Sequence, residues 1–123
     1  MINGISLFAN VGIGETYLKE KGINICVSNE LIEKRAKFYS YLYPNSKMVC
    51  GDITSSKVFN ELLVLYEMYD CDFLMSTPPC QGMSQAGKMD KNDPRNALII
   101  HTIEFIKQTL PSNIIIDIIR CFY

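Results

Sequence analysis

Short apolar runs alternate with amphipathic segments along the whole chain. Residues 4–8 (GISLF), 23–28 (INICVS), 47–51 (KMVCG), 71–76 (CDFLMS) and 113–119 (NIIIDII) are apolar, short and bounded by turn formers, and each reads as a strand. Between them the period changes. Residues 15–21 read as a helix stopped by Gly22 as its C-cap. Residues 31–43 carry Leu31, Ala36, Phe38, Tyr39 and Leu42 on a helical pattern that Pro44 ends. Ser55 or Ser56 caps a third segment running to about Tyr69, with Val58, Phe59, Leu62, Leu63 and Leu65 forming a broad apolar face. Asp93 as N-cap with Pro94 at the first helical position opens a fourth, to about Thr109.

Strand–helix alternation of this kind predicts an α/β fold, a doubly wound and mostly parallel sheet of about five strands with right-handed crossovers. The near-continuous apolar character of DFLMS and IIIDII predicts strands covered on both faces.

Composition narrows the picture. The chain has 123 residues, room for one domain, and its net charge of −1 excludes a bulk basic field for nucleic acid. Its five cysteines are scattered, odd in number and free of C-x-x-C, which argues against a disulfide framework or a zinc ribbon. The first residues form no signal peptide, and no run reaches the roughly 18 apolar residues of a membrane span, so an intracellular protein is expected. With one histidine, His101, set among apolar residues of a helix, no metal site is expected and His101 is read as a packing or surface residue. Tyr39, Tyr41 and Tyr43 beside Phe38 fit base stacking or, in their helical setting, packing.

In an open parallel sheet ligands gather beyond the carboxyl ends of the strands. After the first strand comes FANVGIGE, whose Gly12 and Gly14 either let a ligand approach the backbone or simply make the turn. After the second comes Glu30, placed to accept hydrogen bonds from a ribose, or to favour the next helix N-terminus. After the third comes Asp52-Ile53, suited to an adenine amino group and ring, or to an Asp turn. Three such features at successive strand ends outline a site for an adenosine-bearing cofactor. After the fourth, Pro78 and Pro79 break the strand and hold Cys80 at the ligand edge, where a thiolate nucleophile has a use. Cys26, Cys50, Cys71 and Cys121 read as inert buried thiols. Gln81, Gly82, Ser84, Gly87 and Lys88 form a polar loop long enough to cover a substrate.

PPCQG, together with SLFANVGIGE, VSNE, GDI and DPRNALI in this order, resembles the motifs of the cytosine-C5 DNA methyltransferases, from Gly4 to about Phe122. The resemblance implies a Rossmann-like, S-adenosylmethionine-dependent methyltransferase fold and methyl transfer from that cofactor to carbon 5 of a cytosine flipped out of duplex DNA, as in restriction–modification. It implies Cys80 as covalent nucleophile, with Asp117 in the place of the family's glutamate at the cytosine N3 edge. It further implies Phe8, Gly12, Glu30, Asp52, Ile53, Pro79 and Leu98 around the cofactor, and Gln81, Ser84, Lys88 and Arg95 toward the nucleic acid.

The chain departs from the family pattern at three points. Asn10 stands for a usual glycine; Asn tolerates unusual backbone angles. Asp117-Ile118-Ile119 stands for Glu-Asn-Val, leaving a carboxylate one methylene shorter, or else a buried strand-end Asp with a structural partner. The family's later strands and target-recognition domain are not in residues 1–123, so a partial catalytic domain is expected. Such a domain works with a complementing C-terminal polypeptide or associates through an open sheet edge. Alternatives are a non-catalytic S-adenosylmethionine-binding remnant and a fragment of the tRNA-methylating branch. A nicotinamide-dinucleotide protein has no use for the Pro-Pro-Cys-Gln thiol.

Overall fold

The computed structural model describes residues 1–79 and 97–117. Strands β1 (Ile2–Leu7), β2 (Ile23–Glu30), β3 (Lys47–Cys50), β4 (Phe73–Ser76) and β5 (Asn113–Ile116) form one sheet in the order β3-β2-β1-β4-β5. Every pairing is parallel. The chain winds outward from β1 to one side through β2 and β3, then crosses to the other side with β4 and β5. The switch falls between β1 and β4, where Leu7 pairs with Ser76.

Helices α1 (Glu33–Leu42), α2 (Ser56–Met68) and α3 (Ala97–Thr109) complete the order of elements. Ile5, Leu7, Val27, Leu62, Leu74 and Phe105 are fully excluded from solvent and form the centre of the core. Phe105 of α3 stands edge-on to Phe59 and Tyr66 of α2, with ring centroids 5.5 and 5.9 Å apart. These T-shaped contacts join the two helices. His101 packs its ring 6.4 Å from Phe59, in keeping with a packing role.

Four sequence expectations are corrected. Residues 15–21 are not an α-helix: they run from the end of one 3-10 turn, Ile13–Glu15, through a turn at 16–18 into a second, Lys19–Lys21, with bonds from i to i−3 (Leu18 N–H to the Glu15 carbonyl, Lys21 N–H to the Leu18 carbonyl). Gly22 does end the segment in the left-handed region, φ 82°.

The second correction is that α1 buries only Ala36 and Tyr39; Leu31, Phe38 and Leu42 are exposed. A helix on the outer half of the sheet, over β2 and β3, needs only a narrow stripe at i, i+3. The third concerns β5, read as covered on both faces. All four of its residues are exposed, Ile114, Ile115 and Ile116 by 40–43%, because it is the edge strand. The fourth is Cys50, which is exposed, whereas Cys26 and Cys71 are buried as expected. Burial pushes both of those thiols up, Cys71 to about 12, which keeps them protonated and unreactive. Ser55 occupies the N-cap position of α2 with extended backbone, but its side chain makes no capping bond. The start of the helix expected at Asp93-Pro94, and Cys121, lie outside the described residues.

Candidate active site

The carboxyl ends of β1, β2, β3 and β4 surround a cavity of about 320 Å³. Of the seven residues expected around a cofactor, six line it: Phe8, Glu30, Asp52, Ile53, Pro79 and Leu98. Gly12 does not, and neither does Asp117. Its volume falls at the lower end of the range for small-molecule pockets, and its walls are mostly apolar with a few polar groups, the usual make-up of such a site.

Phe8 follows the last residue of β1 and has φ 54°, left-handed backbone that a bulky side chain adopts at a cost of about 1–3 kcal/mol. Two bonds hold it there. The Thr77 hydroxyl, just past β4, donates to the Phe8 carbonyl at 2.8 Å, and the Ala9 N–H donates to the Asn29 carbonyl at 3.0 Å. The strain aims the ring into the crevice at the switch point. Asn10 is also left-handed, φ 53°, the conformation that lets Asn stand where glycine is usual.

Glu30 ends β2 and is buried, 6% exposed. Its Oε1 accepts the Asn10 N–H at 2.9 Å and its Oε2 accepts the Ile32 N–H at 2.8 Å. The second bond leads into the turn before α1, so the helix-entry role foreseen for this residue is present too. A carboxylate has about four acceptor positions, so each oxygen keeps one for a ligand hydroxyl. Charge-assisted bonds on both oxygens fix the group before any ligand arrives.

Asp52 closes an Asp turn. Its Oδ1 accepts both the Thr54 N–H at 2.9 Å and the Thr54 hydroxyl at 2.8 Å. That bond pair orients the carboxylate beside Ile53, which is buried and forms part of the cavity wall. Pro78 is fully buried and Pro79 lines the cavity, so the chain reaches residue 79 at the switch point. Cys80, Gln81, Ser84, Lys88 and Arg95 lie outside the described residues. Asp117 donates its N–H to the Ser76 carbonyl at 3.0 Å, and its side chain is exposed rather than buried against a partner.

Gly12 serves the loop rather than the cavity wall. With φ 82°, its carbonyl accepts the Tyr43 hydroxyl at 2.6 Å, and a Cβ there would sit 2.2 Å from the Tyr43 ring. Tyr43 stacks at 4.8 Å on buried Tyr39, so these two tyrosines pack; Tyr41 is 80% exposed. Gly12→Ala is expected to destabilise the fold by about 2–4 kcal/mol, from left-handed strain plus overpacking. At Gly22, with the same φ but nothing within 4 Å, alanine is expected to cost only about 1 kcal/mol. Thermal melts of the two variants check the difference.

Under the same loop Glu15 is buried, 6% exposed, taking the Ser6 hydroxyl on Oε1 at 3.1 Å. Its Oε2 and the Tyr39 hydroxyl face one another outside hydrogen-bonding geometry. Burial raises the carboxyl above its ordinary 4.5, more than Tyr39 and Ser6 lower it. A raised carboxyl binds its proton more tightly folded than unfolded. Its contribution to stability is therefore complete below about pH 4.5 and is lost as pH rises through the folded value. Glu15→Gln is expected to flatten that decline and to be more stable than the parent at pH 8; urea unfolding at pH 5 and pH 8 measures it.

Sequence reasoning passed over Asn29, Arg35 and Thr77 and met Asn10 only as a stand-in for glycine; all four line the cavity. A polar residue at a strand end gives little signal by itself. Among the described residues no group of three His, Cys, Asp or Glu side chains could hold a metal ion, and no helix is long and apolar enough to cross a membrane.

A parallel sheet ordered 3-2-1-4-5, with a buried carboxylate ending the second strand and a crevice at the switch point, defines a doubly wound nucleotide-type α/β domain. The model of the C-5 cytosine-specific DNA methylases matches residues 2–117, and the chain belongs to that family. It is 49% identical over 121 residues to the type II methyltransferase M1.HgaI of Avibacterium volantium, covering 94% of this chain and 34% of that protein. Among solved structures it is similar to a candidate DNA modification methyltransferase from a prophage of E. coli (TM-score 0.75, 20% identity, 97% of this chain and 32% of the other). It is also similar to the S. pombe Dnmt2 methyltransferase (TM-score 0.69, 19% identity, 99% and 37%). The chain thus spans about a third of the length of these relatives.

Proposed function

We propose that the chain is the cofactor-binding and nucleophile-bearing part of a catalytic domain that methylates carbon 5 of cytosine in DNA. The observation that carries this reading is the meeting of Phe8, Glu30, Asp52, Ile53, Pro79 and Leu98 around one cavity at the switch point, with Cys80 next in sequence to Pro79. The cavity's donors and walls fit S-adenosylmethionine: a fixed carboxylate for ribose hydroxyls, an acceptor and an apolar side chain for adenine, and an aromatic ring. Bound there, the cofactor supplies an electrophilic methyl group.

Cys80 supplies what cytosine lacks. Carbon 5 of the aromatic ring is a poor nucleophile. Addition of the Cys80 thiolate at C6 forms a C–S bond and leaves an enamine, with electron density on C5. After C5 has taken the methyl group, its proton passes to a base, the C6–S bond breaks, and the thiolate and the aromatic ring are restored. Pro78, locked in the core, and Pro79, on the cavity wall, restrict the backbone that presents the sulfur. Gln81, Ser84, Lys88 and Arg95 are assigned to the nucleic acid, and Asp117 to the N3 edge of the base. Gly12 is assigned to the loop against the amino-acid portion of the cofactor.

The exposed isoleucines of β5 fit a sheet that continues in a further segment or chain carrying the remaining two thirds of the relatives' length. The test is a covalent trap: duplex DNA containing 5-fluorocytosine, with S-adenosylmethionine, is mixed with the chain alone and with that remaining segment supplied. A stable adduct with DNA supports the reading, and an adduct formed only with RNA assigns the chain to the tRNA-methylating branch. No adduct under any condition leaves a cofactor-binding remnant.

A further inference from the structure

We propose that Asn29, the residue before Glu30, is the positioning residue that gives the cavity its preference for adenine. The inference rests on the cofactor reading above. Asn29 is buried, 3% exposed, near the end of β2. A buried primary amide is costly unless its hydrogens are used. Both of its N–H groups are used on the neighbouring strand end: Nδ2 donates to the Val49 carbonyl at 2.7 Å and to the Gly51 carbonyl at 3.0 Å. Its main-chain carbonyl accepts the Ala9 N–H at 3.0 Å.

One residue therefore ties three strand ends together. On one side is the Phe8–Asn10 turn, whose Asn10 N–H also holds Glu30. On the other is the Gly51–Asp52–Ile53 turn, which carries the acceptor and the apolar wall assigned to adenine. The Gly51 N–H adds a bond to the Glu30 carbonyl at 3.0 Å, so the ribose side and the adenine side of the cavity share this one knot. Among the described residues Asn29 is the side chain that donates to the Gly51 carbonyl, and the Asp52 carboxylate is only as well aimed as the backbone that carries it. Asp52 accepts and cannot donate. Adenine offers it an amino group, whereas hypoxanthine offers a carbonyl oxygen. Loss of the amide leaves that turn free to shift and erodes the distinction between the two bases.

The experiment is a pair of titrations on the chain, with S-adenosylhomocysteine and with S-inosylhomocysteine, for wild type and Asn29→Ala. Wild type is expected to prefer the adenine compound by about tenfold or more, and the variant by less than about threefold. A general loosening weakens both ligands together and leaves the ratio alone, so the ratio separates positioning from stability. Asn29→Ser, which keeps one donor, is expected to fall between. An unchanged ratio in either folded variant overturns the proposal while leaving the cofactor reading intact. Failure of wild type to bind S-adenosylhomocysteine overturns the cofactor reading first. Should neither variant fold, the wild-type Asn29 side-chain amide is read directly. Its hydrogen exchange should slow more with S-adenosylhomocysteine than with S-inosylhomocysteine at equal occupancy, and an equal response refutes the assignment.

Discussion

Cys80→Ser is expected to abolish the covalent adduct with 5-fluorocytosine DNA while leaving S-adenosylhomocysteine affinity within about twofold of the parent. Serine keeps the size and loses the chemistry. A thiol becomes a soft, potent nucleophile when its proton leaves near neutral pH, whereas an alkoxide is inaccessible there. Among the described residues no cysteine is placed to substitute. Cys26 and Cys71 are buried with raised pKa values, and Cys50 sits exposed at the end of β3 on the far side of β2 from the switch point. In the complemented enzyme, methyl transfer should fall by more than about a thousandfold, because the barrier returns toward that of an unactivated ring carbon. Intact-mass analysis after trapping and tritium transfer from the cofactor read the two effects. Retained adduct in the serine variant would mean a different nucleophile.

Glu30→Ala is expected to weaken S-adenosylhomocysteine binding by about 150-fold or more. Two charge-assisted hydrogen bonds to ribose hydroxyls are removed, each contributing on the order of 1.5–3 kcal/mol. Glu30→Gln should do less harm at the ribose but more to the loop. One of its two ends becomes a donor facing a backbone N–H, either that of Asn10 or that of Ile32, both of which now donate to the carboxylate. Calorimetric titration measures the affinity, and a melt shows whether the fold survives. Equal loss for S-adenosylhomocysteine and for homocysteine alone would place Glu30 elsewhere than the ribose.

The strand ends were legible because their physics is local. An acidic residue closing an apolar strand, as Glu30 does, has few reasons to be there, and Asp52-Ile53 and Pro78-Pro79 carry the same kind of signal. Paired strands in a parallel sheet then bring these ends to one edge, which is why six separated residues line a single cavity. What the pattern does not carry is the bonding between turns. Asn29 reads as one more polar letter until β3 is laid beside β2, and the Tyr43 hydroxyl meets Gly12 across 31 positions. The crossover from β1 to β2 misled for a related reason. A short helical period fits an α-helix and a pair of 3-10 turns alike. Leu31, Phe38 and Leu42 were misassigned because hydrophobicity alone does not tell an outer helix how narrow its buried stripe is.

The most direct test of the whole account is a structure of the chain bound to S-adenosylhomocysteine. The predicted result is one ligand in the cavity at the carboxyl ends of β1, β2, β3 and β4, its ribose on the Glu30 carboxylate and its adenine between Asp52 and Ile53. Its sulfur should point toward the stretch that follows Pro79. A ligand seated elsewhere, such as a cavity lined by Glu15, Ile25 and Tyr43, or no ligand at saturating concentration, would contradict it.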